Sequence, residues 1–147
     1  SRIRLALQVC QIKGKVKWDE VKDLEQMINE ITENKTKITS LELTHNSIGI
    51  ECAKKLSSAI ALIENLSSVN YRDLFVSRLK EDLPISLKYL MESLLNKKIN
   101  FLDLSDNAFG PIAIPSFDFF LKNLYVFLKK CWVIKSDSIS LQQTKEE

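Results

Sequence analysis

Apolar and polar residues alternate over Leu41-Glu42-Leu43 and again over Leu102-Asp103-Leu104, the period-two pattern of a strand with one buried face. In both places an asparagine follows three residues later, then an apolar residue and a glycine. The segments read ITSLELTHNSIG over 38–49 and INFLDLSDNAFG over 99–110. A chain that bends sharply after a buried strand leaves backbone N–H and C=O groups without partners, and a buried carboxamide can bond several of them. Asn46 and Asn107 are the expected corner residues. Gly49 and Gly110 are expected where the turn calls for positive φ.

The two segments lie 61 residues apart, which suits two strand-plus-helix repeats of the long type. A degenerate copy, LSSVNYRDL over 66–74, divides that offset into steps of 28 and 33, with Val69 and Tyr71 in the strand positions. It lacks the asparagine and runs into a longer loop, Arg72 to Asp82. A repeat that breaks its own rule is where function is expected.

Between the strands the period changes to that of helices. Val21, Leu24, Met27, Ile28 and Ile31 predict a helix over 19–33, with acids in its first turn. Cys52, Leu56, Ala59, Ile60 and Ile63 predict one over 51–64. Leu87, Leu90, Met91, Leu94 and Leu95 predict a third, opened by Pro84, whose missing N–H costs nothing in a first turn. Phe117, Phe120, Leu121 and Leu124 predict a fourth over 114–129. Leu5, Leu7 and Val9 suggest a capping strand within 5–12, and Trp18 and Trp132 read as packing residues near the two ends.

No strand-plus-helix unit buries its own apolar face, so neighbours must stack. The expected fold is α/β: a leucine-rich-repeat right-handed solenoid of about four units, its parallel strands on the concave face and helices on the convex face. Residues 1–130 form this repeat domain. Residues 131–147, rich in Ser, Gln, Lys and Glu, are expected to be a disordered polar tail. The last predicted helix is followed by no recognisable strand, so the solenoid is expected to be incomplete.

Composition narrows the function. A net charge of +2 leaves no electrostatic footprint for nucleic acid or an anionic membrane. The most apolar stretch, 112–134, is interrupted by Asp118, Lys122, Lys129 and Lys130, so no membrane span is expected. Three cysteines without paired spacing argue for reduced thiols and against a zinc site. The one histidine, His45, sits in the corner THN with no partner at a catalytic spacing, and no phosphate-cradling glycine loop occurs. No metal, cofactor or small-molecule substrate is expected. A solenoid with a concave face and protruding loops is a shape for binding protein.

The run DLFVSRLKEDLP over 73–84, a helix, and then LDLSDNAFGP over 102–111 resembles the Ran GTPase-activating protein family. There an F-S-D-x-F-T-G-R-x-x-x-E-I-P-like loop precedes a helix and L-S-D-N-A-F-G-P. The second motif matches without departure. In the first, Val76-Ser77 stand where the family has Thr-Gly, and Glu81 and Asp82 occupy the acidic pair. NSIGIECAKKL over 46–56 resembles the family's N-T-I-G-x-E-A-A-x-x-L, and the likeness runs in order from about Ile12 to Leu124.

The resemblance implies a protein that binds a Ran-type small GTPase in its GTP form and speeds hydrolysis without an arginine finger. It does so by holding the GTPase's own glutamine, in the setting of nucleocytoplasmic transport. It implies Asn107 as the catalytic contact and Asp106, Arg78 and Lys80 as partner-binding residues, in a cytoplasmic location that extends to the nuclear envelope. Read from the residues alone, Asn107 fills the same corner position as Asn46 and can equally serve the backbone. Family members carry many more repeats and a strongly acidic tail. The alternative function is a truncated or divergent interaction module without GTPase-activating activity, binding through strand positions such as Glu42, Asn70 and Asp103.

Overall fold

The computed structural model describes residues 3–6, 17–107, 132–135 and 138–142. Its strands are β1 (Ile3–Ala6), β2 (Lys17–Trp18), β3 (Ile38–Glu42), β4 (Ser47–Ile48), β5 (Ser68–Asn70), β6 (Phe101–Asp103), β7 (Trp132–Lys135) and β8 (Ser138–Gln142). Its helices are α1 (Glu25–Glu33), α2 (Ile50–Ile60) and α3 (Leu83–Glu92), with a 3₁₀ turn, Val21–Leu24, leading into α1. The main sheet runs β1-β3-β5-β6-β8-β7, and β2 pairs with β4 in a separate short ladder. Pairing is parallel from β1 through β6, as expected where helices carry the chain from one strand to the next. The molecule is therefore of the α/β class.

The repeat register holds. Leu41 lies opposite Val69, and Val69 opposite Leu102, as the steps of 28 and 33 require. Leu43, Tyr71 and Leu104 form the next layer and Ile38, Leu66 and Ile99 the one before, all of them buried. The same core takes in Leu24, Met27 and Ile31 from the first helical segment, Cys52, Ala53, Leu56 and Ile60 from α2, and Leu87, Leu90 and Met91 from α3. Burial pushes the Cys52 thiol up to about 11. Leu83 precedes Pro84 as the first residue of α3, so the proline falls in the first turn without costing a hydrogen bond.

Several expectations shift. Val21 is 41 % exposed, because the first turn of its helix is 3₁₀ and its tighter winding takes Val21 off the apolar stripe. α2 ends at Ile60, and Lys97 caps it: this buried ammonium donates to Ala61 O at 3.1 Å and Ile63 O at 2.5 Å. Burial draws the Lys97 pKa down. The capping strand includes Leu5 and Ala6 and begins earlier than expected, at Ile3; residues 7–12 of the expected span lie outside the described residues.

The segment expected as a disordered tail holds β7 and β8, paired antiparallel with each other, while β8 also pairs antiparallel with β6. Composition concealed a pattern, Ser138-Ile139-Ser140-Leu141, that alternates with the period of a strand. The helix expected over 114–129, and with it Gly110, lies outside the described residues.

Candidate functional site

β3, β5 and β6 each end in a corner, and these corners stack along one edge of the sheet. The residue before the asparagine position takes a left-handed backbone in all three: His45 at φ 61°, Asp73 at φ 53° and Asp106 at φ 57°. Asp and His are among the few non-glycine residues that tolerate this conformation. Backbone bonds tie neighbouring corners together. His45 N donates to Arg72 O at 3.2 Å, Ile48 N to Leu74 O at 3.1 Å, and Asp73 N to Ser105 O at 3.1 Å.

The corner carboxamides finish this lattice. Asn46 Nδ2 donates to Leu43 O and Thr44 O, both at 3.1 Å. Asn107 reaches further. Its Oδ1 accepts the Leu74 N–H at 2.8 Å, and its Nδ2 donates to Tyr71 O at 2.9 Å, Leu104 O at 3.0 Å and Ser105 O at 3.3 Å. Leu74 occupies the asparagine position of the degenerate corner, so Asn107 supplies from the next repeat the bonds that corner lacks. At 6 % exposure, with both ends of the carboxamide committed to backbone, Asn107 holds the corner from inside. These bonds give Asn107 the backbone task that its likeness to Asn46 suggests.

Beside it the side chains face solvent. Arg72 Nε and Asp106 Oδ2 pair at 2.5 Å with both residues about half exposed, and Asp106 raises the Arg72 pKa. His45 Nδ1 lies 2.9 Å from Asp73 Oδ2. Each pair bridges two adjacent corners. Arg72 and Asp73 were not singled out from the sequence, yet the repeat offset carries the signal: His45 and Asp73 stand 28 residues apart, one step of the register.

Arg78 departs furthest from expectation. Its guanidinium turns inward, pairs with Asp19 Oδ1 at 2.5 Å, and donates to Ser47 O at 2.9 Å and Trp18 O at 3.4 Å. Its side chain is 14 % exposed. It pins the 72–82 loop to β2 and β4, and its hydrogen bond holds the Asp19 carboxyl below the usual carboxylate range. The ion pair it makes with Asp19 is within the chain.

Gly49 shows why this position is glycine. Its φ is −87°, so the turn asks for no left-handed backbone there. A Cβ would instead stand 3.3 Å from Arg78 Nη1 and 3.4 Å from Trp18 O. Lys80 is exposed, and among the described residues it forms no ion pair. No group of three His, Cys, Asp or Glu side chains among the described residues could hold a metal. No helix among them is long and apolar enough to cross a membrane.

These features define a class: an α/β protein of stacked strand-corner-helix units with a polar edge of hydrogen-bonded corners. The comparisons narrow it. The chain is 34 % identical over 114 residues to Ran GTPase-activating protein 1 of Xenopus laevis, covering 76 % of this chain and 20 % of that protein. It is 38 % identical over 109 residues to Ran GTPase-activating protein 1 of Saccharomyces cerevisiae, covering 70 % of this chain and 26 % of that one. Ran GTPase-activating protein 2 of Caenorhabditis elegans is 34 % identical over 100 residues, covering 67 % of this chain and 10 % of its own length. No protein-family model matches. Over most of its length the chain is thus similar to Ran GTPase-activating proteins, and it spans about a quarter or less of these relatives.

Proposed function

We propose that this chain is a leucine-rich-repeat segment of a GTPase activator for a Ran-type small GTPase, and that the stacked corners form its docking edge. The carrying observation is the lattice of three left-handed corners locked by Asn46 and Asn107, in a chain whose relatives bear the name Ran GTPase-activating protein. Phosphoryl transfer to water is accelerated largely by orienting the water and stabilising charge, so a rigid edge that fixes the GTPase's own glutamine needs no catalytic group of its own. In this reading Asp106 and Lys80 touch the GTP-bound partner. Asn107 and Arg78 are positioning residues, fixing the corner and the loop that present those two. The work belongs to nucleocytoplasmic transport, in the cytoplasm and at the nuclear envelope. A standard interface takes about 800 Å² from each partner, and two or three corners supply part of it, so weak affinity is expected.

The test is single-turnover GTP hydrolysis by Ran with and without the chain. Stimulation above the intrinsic rate, reduced in Asp106→Ala and Lys80→Ala chains that keep their melting temperature, supports the reading. No stimulation by a folded chain at any concentration overturns it. The second reading, a binding module without activating function, draws on Glu42, Asn70 and Asp103, which stand opposite one another in register across β3, β5 and β6. It predicts binding that ignores the nucleotide state, lost on substitution of Asn70.

A further inference from the structure

Among the large apolar residues exposed in the described chain, Leu79 is the most open, at 67 % against 51 % for Leu62, 45 % for Ile85 and 41 % for Val21. A leucine left in water on a mobile loop would mean little. This loop is fastened on both sides of it. Upstream, Leu74 and Phe75 are buried, Phe75 bridges to Ser47, and Ser47 Oγ donates to Val76 O at 2.5 Å. Ser77 takes φ 58°, which reverses the chain, and Arg78 N donates to Phe75 O at 3.3 Å. The Arg78 guanidinium then anchors the loop to Trp18, Asp19 and Ser47. Downstream, Asp82 N donates to Leu79 O at 3.0 Å and α3 begins. The inward turn of Arg78 therefore leaves its neighbour Leu79 facing out, with exposed Lys80 next to it.

We propose that Leu79 is the apolar anchor of the docking edge, inserting into a hydrophobic depression on the GTP-bound small GTPase. This rests on the GTPase-activator reading. The partner is chosen by continuity: Leu79 stands on the loop that leaves the degenerate corner, beside Lys80. Affinity at protein interfaces concentrates in a few anchors ringed by polar contacts. An anchor held in place before binding loses little conformational freedom on docking. Arg78 supplies that preorganisation, so an arginine inside the loop and a leucine outside it serve one contact.

The test is the affinity of the full chain for Ran loaded with a non-hydrolysable GTP analogue, measured for wild type, Leu79→Ala and Leu62→Ala. Leu62 is the control, an exposed leucine after α2, on the edge where helices lead back into strands. Leu79→Ala is expected to bind about tenfold more weakly, an amount typical of an interface anchor. Its melting temperature should be unchanged, and Leu62→Ala should match wild type. If wild type binds and Leu79→Ala stays within about twofold of it, the anchor is refuted while the functional reading stands. Equal losses in both variants refute it as well. A wild-type chain that leaves Ran unbound overturns the functional reading and this inference together.

Discussion

Replacing Asn107 with alanine separates a residue that builds the corner from one that only faces a partner. The carboxamide makes four hydrogen bonds to backbone, two within its own corner and two to the corner before it. The latter pair matter most, because the Leu74 N–H and the Tyr71 C=O belong to fully buried residues. Alanine strands a buried donor and a buried acceptor, and each such orphan costs about 1–3 kcal/mol. A loss of about 3 kcal/mol is expected, a large share of the 5–15 kcal/mol that holds a typical domain folded. At roughly 3 °C per kcal/mol for a chain of this size, the melting temperature should fall by about 10 °C, read by far-ultraviolet circular dichroism. Asn107→Asp should do no better: it keeps the acceptor for Leu74 but sets a carboxylate against three carbonyl oxygens. A surface contact residue would change stability by less than about 0.5 kcal/mol. If Asn107→Ala melts within about 2 °C of wild type, the corner argument fails.

Three other outcomes follow from the packing. Gly49→Ala should destabilise by about 1 kcal/mol, since its Cβ meets a guanidinium that three other groups hold in place; elsewhere, at a φ of −87°, the same change would be stabilising. Denaturant titration decides the sign. Cys52, with its thiol raised from 9.0 to about 11, should resist alkylation at pH 8 until the chain unfolds. Because the folded form holds this proton more tightly, its contribution to stability is complete below pH 9 and is lost as pH rises toward 11, which a pH series of melts would show. Lys97→Ala should cost about 1–3 kcal/mol by uncapping the carbonyls of Ala61 and Ile63, and faster amide exchange in the last turn of α2 would locate the damage.

The sequence by itself determined the repeat. Two identical spacings of leucine, asparagine and glycine and a degenerate copy between them set the strand register to the residue, because alternation of period two allows only one set of side chains into the core. It also marked the two corners that carry asparagine. What the tertiary structure decided was the direction in which each singled-out side chain points. Spacing placed Arg78 on a loop, where an arginine is ordinarily solvated, but the carbonyls of Trp18 and Ser47 and the Asp19 carboxylate that draw it inward come from segments 31 to 60 residues away. Spacing lets Asn107 serve equally as a backbone bond or a partner contact, and it is the stack that brings the buried Leu74 N–H, one repeat earlier, to 2.8 Å from its Oδ1. Local pattern is a property of the strand and its corner. The partners of a buried polar group are a property of the stack, and only the stack brings them within hydrogen-bonding distance.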